Sequence, residues 1–408
     1  MVIARSHRVY GLIIALALIS LVLTGNGAVP GSNTSGDGIS PEKKVAYMNR
    51  PCVVEIKCLH WGTLANKNGE AKIYLNLDGT GKTEVDLPFS GIGGTGSGFI
   101  ISQDGYILTN AHVVYKSDED LKDDLVRSIG NYLLAKYPQI AGENDEHRDE
   151  LFSTLRSDYT TKKREADTEL KVFFGGQIST ASNDGIPAEI RTESPKKFYR
   201  EEGSTYRYAT GKDLAIIKIE GFDNLPTVTL GDSDSADVGD KVIIIGYPYL
   251  VMSDALGMSI LSPMTDLVPT VTSGIISAWR KQPDSSDVIQ IDAAIQHGNS
   301  GGPAFNEKGE VIGVATWGSY MKLAGLDGYS ESEIYNFIIP INVAKSFIKQ
   351  LNIDTTPSKT IIHFRNGLKY YWNTQYPEAK KEFSDILNLI PNNNYANEYL
   401  HMIAKSER

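Results

Sequence analysis

Ser300 stands in a glycine-rich loop, Gly298-Asn299-Ser300-Gly301-Gly302. The run from Val288 to Asp292 before it alternates as a strand does, and residues 303–317 after it read as a hairpin. Glycine accepts backbone angles that other residues avoid, so this loop can turn sharply and present the hydroxyl oxygen. It can also direct the N–H groups of Gly298 and Ser300 at one point, where an oxyanion would form. The alternative is an ordinary glycine-rich turn that holds an incidental serine.

A serine hydroxyl is a weak nucleophile, so catalysis would require a base and an acid that orients the base. His112 follows a predicted strand, within Asn110-Ala111-His112-Val113-Val114. Asp213 stands at the mouth of the apolar run from Leu214 to Ile219, where a carboxylate near the interior needs a partner. Taken one at a time, a structural histidine and a strand-capping aspartate are the alternatives for these two residues.

Taken together, these stretches resemble the trypsin-like serine proteases of the Do-like (HtrA) family. The resemblance spans roughly residues 45 to 350 and is carried by Gly94-Thr95-Gly96-Ser97-Gly98-Phe99, Leu108 to Val114, Asp213-Leu214-Ala215, Leu230-Gly231-Asp232-Ser233, Gly246-Tyr247-Pro248, Ser273 to Ser277 and Asp292 to Pro303. The chain order histidine, aspartate, serine is that of the two-barrel proteases, whereas α/β-hydrolases place the acid and the histidine after the serine.

The resemblance implies a serine endopeptidase that cleaves unfolded or misfolded proteins through an acyl-enzyme. His112 would be the general base, Asp213 its orienting acid and Ser300 the nucleophile. The N–H groups of Gly298 and Ser300, with Asn299 as a further candidate, would form the oxyanion hole. No cofactor or metal is expected. A protease-like peptide-binding or chaperone module, with a closed or inactive site, is the alternative.

The same resemblance implies a set of substrate-binding residues. Ala294 and Ile295 would line the primary pocket and favour small or medium apolar side chains, and residues 315–317 would pair with the substrate backbone. His297 is added because it lies on the Ser300 loop, where it is expected to line the substrate cleft, and the full set is Ala294, Ile295, His297, Ala315, Thr316 and Trp317.

The predicted fold is an all-β core of two six-stranded antiparallel barrels of the chymotrypsin type, with a helical insertion and a C-terminal helical hairpin. The first barrel is expected at 45–225, with the insertion at 116–170, and the second at 226–352. Leu121, Leu125, Ile129 and Leu133 recur at helical spacing, and a second helix is predicted from Glu146 to Thr168. Residues 193–210 are predicted to be a loop.

The tail at 360–408 is similar to one tetratricopeptide repeat, through Gly367, Tyr370, Ala379, Phe383, Ile386 and Pro391. A generic amphipathic helix pair is the alternative. A single repeat cannot bury its own apolar face, so the tail is expected to pack on the protease body or on another copy. No PDZ domain is recognised after the protease region, although Do-like proteins usually carry one. A homo-trimer is expected by family analogy alone.

The first residues have the pattern of an export signal. Arg5, His7 and Arg8 precede an apolar run from Val9 to Leu23, and small and polar residues follow. Residues 1–28 are therefore predicted to be a signal peptide or an uncleaved anchor that uses residues 9–24, followed by a flexible tether at 29–44. The protein is expected to be periplasmic, extracellular or membrane-anchored outside the cytoplasm. The net charge of −10 argues against nucleic acid as a partner.

Overall fold

The computed structural model describes residues 38–407, except 78–80, 142–144, 176–184, 201–206, 249–267, 283 and 323–328. The predicted signal peptide or anchor, the apolar run at 9–24 and most of the predicted tether lie outside the described residues. Within the described part of the chain, no helix has both the length and the apolar character that crossing a membrane requires.

The first barrel is a closed ring of six antiparallel strands. Its strands are β1 (Val53–Ala65), β4 (Ser90–Ile100), β5 (Tyr106–Thr109), β6 (Thr160–Phe174), β7 (Ile186–Ser194) and β10 (Leu214–Ile219). Their order around the ring is β1-β4-β5-β10-β7-β6. All six residues of β10 are buried, which explains its almost unbroken apolar sequence. Because β5 and β10 are antiparallel neighbours, with Thr109 opposite Ala215, the end of β5 meets the start of β10.

The second barrel is also a six-stranded antiparallel ring. Its strands are β12 (Lys241–Gly246), β13 (Thr270–Lys281), β14 (Asp287–Ile291), β15 (Pro303–Phe305), β16 (Glu310–Lys322) and β17 (Tyr329–Pro340). Pairing of β16 with β17 closes the ring, and a short strand β11 (Thr229–Leu230) adds to β16 in parallel. The predicted fold class of two six-stranded barrels is therefore confirmed.

A layer outside the first barrel contains the hairpin of β2 (Lys72–Asn76) and β3 (Lys82–Asp86) and the helices α3 (Asp118–Lys136) and α4 (Asp145–Asp158). Ser117 caps α3 by accepting a hydrogen bond from Asp120 N–H, and acidic residues occupy the first turn. The predicted apolar stripe Leu121, Leu125, Ile129 and Leu133 is buried against the hairpin and α4. The helical insertion is thus confirmed.

Two local predictions near the insertion are wrong. The predicted helix 146–168 ends at Asp158, and residues 160–174 form β6, whose start pairs with the end of β1 through Thr160 opposite Ala65. Much of the first half of β6 is exposed, so its polar composition resembled that of a surface helix. The predicted loop at 193–210 contains the small hairpin of β8 (Lys197–Arg200) and β9 (Arg207–Thr210).

Residues 41–49 form the helix α1 (Pro41–Asn49), where the end of a tether and the start of a strand were predicted. Ser40 caps this helix by accepting from Lys43 N–H, and Pro41 occupies its first turn, where the missing N–H costs nothing. The first barrel strand begins later, at Val53. The segment has the polar composition of a tether, but the cap at Ser40 and the proline at the first helical position favour a helix.

The C-terminal region is helical and shares its core with the barrels. Its helices are α5 (Ile341–Gln350), α6 (Lys359–Trp372), α7 (Tyr376–Leu389) and α8 (Asn394–Ser406). Gly367 lies against the Phe383 ring, as the pairing of α6 and α7 requires. Buried side chains of α6, α7 and α8 belong to one continuous apolar cluster with both barrels. A single helical repeat cannot bury its own apolar face, and here the tail buries that face against the barrels.

Polar contacts also join the tail to the body. The Arg50 guanidinium lies 4.9 Å from the Tyr47 ring and 4.7 Å from the Tyr395 ring, and it pairs with Glu398 at 3.1 Å. On α6, Arg365 donates to Thr229 Oγ1 at 2.9 Å and to Asn49 Oδ1 at 2.6 Å. These contacts connect α1, the second barrel and the tail.

Replacing Phe364 by alanine tests the shared core. Phe364 is buried at the centre of an aromatic cluster with Phe383, Tyr395 and Tyr399. We expect the free energy of unfolding to fall by about 3–5 kcal/mol, as for other buried aromatic truncations. Urea unfolding followed by tryptophan fluorescence measures it.

The matched control is Ile362→Ala, because Ile362 lies on the same helix but is 47% exposed. Ile362→Ala should lower the free energy of unfolding by only about 0.5 kcal/mol, the usual size of the effect of a surface substitution. A tail that unfolds separately, with the barrel transition unchanged in Phe364→Ala, would contradict the shared core.

Candidate active site

The loop that carries Ser300 joins β14 to β15. Asn299 N–H donates to Gln296 O at 3.0 Å, so residues 296–299 form a hydrogen-bonded turn. Gly298 is third in this turn with φ of 95°, which corresponds to a type II turn and favours glycine at this position. Gly301 also has positive φ, and a Cβ there would lie 2.1 Å from Ser97 O. The glycine spacing of the loop is therefore a steric requirement.

His112 and Asp213 meet at one edge of the first barrel. His112 lies on the short helix α2 (Ala111–Val114), directly after β5, and Asp213 directly precedes β10. His112 Nδ1 lies 3.0 and 2.9 Å from the two carboxylate oxygens of Asp213, and His112 N–H donates to Oδ1 at 3.1 Å. The Asp213 side chain is 1% exposed and the His112 side chain 47% exposed. The carboxylate is thus buried behind a ring that faces outward.

Thr316 of β16 connects this pair to Ser300. Its hydroxyl donates to Asp213 Oδ2 at 2.9 Å, and its carbonyl accepts from Ser300 Oγ at 3.2 Å. Thr316 therefore links the serine loop to the His112–Asp213 pair across both barrels, through its backbone carbonyl on one side and its hydroxyl on the other. Among the described residues, no hydrogen bond joins Ser300 Oγ directly to His112.

The helix that carries His112 approaches the serine loop across Gly96. A Cβ added at Gly96 would lie 2.6 Å from the Val113 side chain and 3.2 Å from Ser300 O. A glycine at this position leaves room for both the histidine helix and the serine loop beside the same strand.

The backbone of Asp213 is in an unusual conformation. Its φ is 53°, in the left-handed region that aspartate visits more readily than bulky residues do. Asn110 Nδ2 donates to Asp213 O at 2.9 Å and holds this peptide in place. Strained backbone of this kind concentrates at functional sites, where the surrounding structure maintains it.

The electrostatics of the site include a second cation. Burial alone would raise the pKa of the Asp213 carboxyl, but the charge and hydrogen bonds of His112, with Lys196 nearby, lower that pKa below its usual value. Burial lowers the pKa of Lys196 to about 8, although the carboxylates of Asp213 and Asp284 oppose that shift. Asp213 therefore remains ionised at neutral pH between two basic groups.

Replacing Lys196 by glutamine should change how stability depends on pH. The folded-state pKa of Lys196, about 8, is below its ordinary value of 10.5, so between these values the unfolded chain holds the proton more tightly. Stability from this group therefore rises with pH across that window. We expect the free energy of unfolding of the wild type, minus that of Lys196→Gln, to grow by about 1–2 kcal/mol as the pH rises from about 8 to 10.5. This value is reduced from the full effect of the pKa shift because Lys196 is partly exposed to solvent.

Urea unfolding at a series of alkaline pH values measures that difference. Lys381→Gln, at an exposed lysine of α7, reports the general effect of removing one positive charge. Cysteine and tyrosine ionisation is common to all three proteins and cancels in the comparison. Parallel stability curves for wild type and Lys196→Gln would contradict the prediction.

The two expected oxyanion donors, Gly298 N–H and Ser300 N–H, lie on the same loop between β14 and β15. Within the described part of the chain, neither Gly298 N–H nor Ser300 N–H is donated to another residue. Asn299 N–H is already donated to Gln296, which leaves Gly298 and Ser300 as the available pair. Among the described residues, no group of three or more histidine, cysteine or acidic side chains is placed to hold a metal ion.

The residues predicted to bind substrate occupy different environments. Ala294 and His297 are exposed and Ile295 is partly buried, whereas Ala315 is completely buried, so its side chain is not available for contact. The Thr316 side chain is buried and bonded to Asp213. The side chain of Trp317 lies outside the described residues.

Residues 96–314 match a model of the trypsin-like peptidase domain. The chain belongs to the trypsin-like peptidase family. The matched part of this trypsin-like peptidase contains His112, Asp213 and Ser300 and covers strands from both barrels.

Curated relatives of this trypsin-like peptidase carry the description "Probable periplasmic serine endoprotease DegP-like". One from Halomonas elongata is 33% identical over 267 residues, which is 65% of this chain and 36% of the relative. One from Rickettsia prowazekii is 30% identical over 306 residues, 74% of this chain and 40% of the relative. A solved structure of the HtrA-type protease AlgW with a tripeptide is 22% identical, with a TM-score of 0.39, and covers 77% of this chain and 64% of that one. This chain therefore spans well under half the length of the curated relatives.

Several residues of the site are not among the candidates that the sequence predicts. Ser97, Asn110 and Lys196 all contact or influence the groups around Asp213 and Ser300. Ser97 and Asn110 lie inside stretches that carry the family resemblance. Those stretches place them near the site, but they do not indicate which groups they contact. Lys196 lies in a segment expected to be a loop, and no sequence pattern marked it.

Proposed function

We propose that this chain is a serine endopeptidase that hydrolyses peptide bonds of unfolded or misfolded polypeptides. His112 acts as general base, Asp213 orients it and Ser300 is the nucleophile. The observation that carries this proposal is the link that Thr316 makes between Ser300 and the His112–Asp213 pair. Nucleophilic catalysis needs a nucleophile, a base and an orienting acid, and Thr316 contacts both the proposed nucleophile and the acid that is bonded to His112.

In the proposed reaction, the Ser300 hydroxyl turns from Thr316 O towards the imidazole of His112. Its oxygen attacks the scissile carbonyl while His112 takes the proton, and the N–H groups of Gly298 and Ser300 stabilise the oxyanion. The amine leaves with the proton from His112, and an acyl-enzyme remains on Ser300. Water, activated by the same imidazole, then releases the acid product. Asp213 stays ionised throughout and stabilises the imidazolium.

Strand β16 is proposed to receive the substrate as an extended segment. Its ladder with β17 is irregular between Ala315 and Gly318, so Thr316 and Trp317 lie outside the regular pairing. An irregular stretch of strand beside the nucleophile suits the addition of a substrate strand. Exposed Ala294 and partly buried Ile295 support a preference for small or medium apolar side chains.

Export is proposed from the signal-like residues 1–28 together with the periplasmic description of the relatives. The protein would then act outside the cytoplasm, free or anchored through residues 9–24. A homo-trimer and a tetratricopeptide-like tail remain proposals by family and pattern analogy.

One observation favours a second candidate, a protease-like module that binds peptides or acts as a chaperone. The Ser300 hydroxyl is engaged with Thr316 O, and His112 does not accept from it in this arrangement. Such a hydrogen bond would suit a closed, inactive site. However, nucleophile–base hydrogen bonds in free enzymes are often loose and tighten only with substrate, so the endopeptidase is preferred.

A fluorophosphonate probe separates the two candidates. We expect the probe to add covalently to Ser300, as peptide mapping by mass spectrometry would reveal, and to block cleavage of unfolded casein. Heat-denatured protein treated with the same probe measures non-specific labelling. Binding of casein without cleavage, together with an unlabelled Ser300, would instead support the peptide-binding module.

A further inference from the structure

Ser97 of β4 lies at the junction of the two barrels, behind the Ser300 loop. It is completely buried. Its Oγ donates to Gly298 O at 2.6 Å and accepts from Tyr247 N–H, which follows β12, at 2.8 Å. Its backbone N–H donates to Ser300 O at 2.8 Å. One residue of the first barrel therefore holds the carbonyls of both residues whose N–H groups are the proposed oxyanion donors.

The direction of the Ser97 hydroxyl is determined by its partners. Tyr247 N–H can only donate, so the hydroxyl oxygen accepts there and its proton must point to Gly298 O. Gly246 and Gly302 pack closely around this hydroxyl and the loop, since a Cβ at Gly246 would lie 3.0 Å from Ser97 Oγ and 2.8 Å from Asn299 Oδ1. The hydroxyl thus occupies a fixed position with both of its hydrogen-bonding functions used.

The two contacts of Ser97 hold two separate peptides of the loop. The Gly298 carbonyl belongs to the peptide that follows one oxyanion donor, and the Ser300 carbonyl belongs to the peptide that follows the other. Glycine at 298 has wide backbone freedom. The turn bond from Asn299 N–H to Gln296 O restrains it from within the loop, and the Ser97 hydroxyl restrains it from the first barrel. Catalytic donors must be held within about 0.5 Å of their productive positions.

We propose that Ser97 is a positioning residue for the oxyanion hole, acting through Gly298 and Ser300. This inference rests on the proposed endopeptidase function. The hydrogen bond from the backbone N–H of residue 97 to Ser300 O forms with any side chain at that position. The hydrogen bond to Gly298 O requires the Ser97 hydroxyl. Loss of the hydroxyl therefore frees Gly298 relative to Ser300 and misplaces one of the two donors.

Ser97→Ala is the test, with a fluorogenic peptide as substrate. We expect kcat to fall about 10²-fold with a much smaller change in KM, because a displacement of about 1 Å or the loss of one oxyanion donor has that effect. A peptide boronate that forms a tetrahedral adduct should lose affinity by the same factor as kcat/KM, while a non-cleavable peptide should bind as before. A purely structural role would weaken both ligands together.

Thr109→Val is the matched control. Thr109 Oγ1 donates to Ser97 O at 2.7 Å and is equally buried, so the variant removes a neighbouring hydroxyl and leaves both Ser97 contacts with the loop in place. It should retain most of the wild-type kcat. If Ser97→Ala does not fold, Ser97→Cys keeps a side chain of similar shape with a weaker donor, and it should show the same selective loss of kcat.

A crystal structure of the Ser97 variant provides a readout that does not depend on activity. We expect the separation of Gly298 N and Ser300 N to change by more than about 0.5 Å, the tolerance of a preorganised site. An unchanged loop, or a kcat equal to that of Thr109→Val, would overturn the inference. Wild-type protein that neither cleaves peptide nor reacts with a fluorophosphonate would refute the proposed function instead, and the loop geometry would then decide the role of Ser97.

Discussion

Replacing Ser300 by alanine is expected to reduce kcat/KM for unfolded casein or a fluorogenic peptide by ~10⁴-fold or more. The substitution removes the attacking oxygen and leaves the rest of the loop in place, because only the Ser300 hydroxyl bond to Thr316 O is lost. What remains is the weak catalysis that the oxyanion donors and substrate binding supply on their own. Initial rates of peptide cleavage, with active sites counted by titration of the wild type, measure the effect.

Ser346→Ala is the control for this prediction. Ser346 lies exposed on α5, and its hydroxyl donates to Val343 O within the same helix, so its loss should leave the rate unchanged. Groups that act as one unit are strongly non-additive, so Ser300→Ala combined with His112→Ala should be no slower than Ser300→Ala. Substantial residual cleavage in Ser300→Ala would mean that another group is the nucleophile.

Replacing Asp213 by asparagine is expected to lower kcat about 10⁴-fold while the protein remains folded. The Asp213 carboxylate accepts from His112 Nδ1, His112 N–H and Thr316 Oγ1. An amide of the same shape presents an N–H₂ group to one of these donors and favours the wrong tautomer of His112. It also withdraws the negative charge that would stabilise the imidazolium in the transition state.

The rate of peptide cleavage across a range of pH measures this loss. Asp284→Asn is the matched control, since Asp284 is also near Lys196 but hydrogen-bonds to Gly211 N–H and to Ser286. It should alter cleavage little, which would separate the direct contact with His112 from a general change in charge. A fall in kcat for Asp284→Asn as large as that for Asp213→Asn would exclude the proposed role of Asp213 in orienting His112.

Much of the fold could be predicted because several elements carry strong local signals. The run 214–219 is apolar throughout because β10 is buried, and the stripe from Leu121 to Leu133 has helical spacing because α3 covers the barrel with one face. Local sequence patterns gave wrong predictions where the structure depends on pairing with a distant strand or on a single helix-capping residue. The start of β6 pairs with a strand about a hundred residues earlier in the chain, and Ser40 and Pro41 start α1 within a segment of tether-like composition.

The sequence by itself determined which residues could do the chemistry. Ser300 among glycines, His112 after a strand and Asp213 before one are recognisable because a tight turn and a strand end each require particular residue types over a few positions. The match over residues 96–314 confirmed the family that this pattern indicated.

Only the tertiary structure decided how those residues are held. Thr316 bridges Ser300 to Asp213, Ser97 reaches from the first barrel to Gly298, and the C-terminal helices are built into the core of the barrels. Each of these contacts joins residues that are far apart in the chain and ordinary in type. Their roles follow from closure of the two rings and from burial of the surfaces between them, and no short stretch of sequence encodes either.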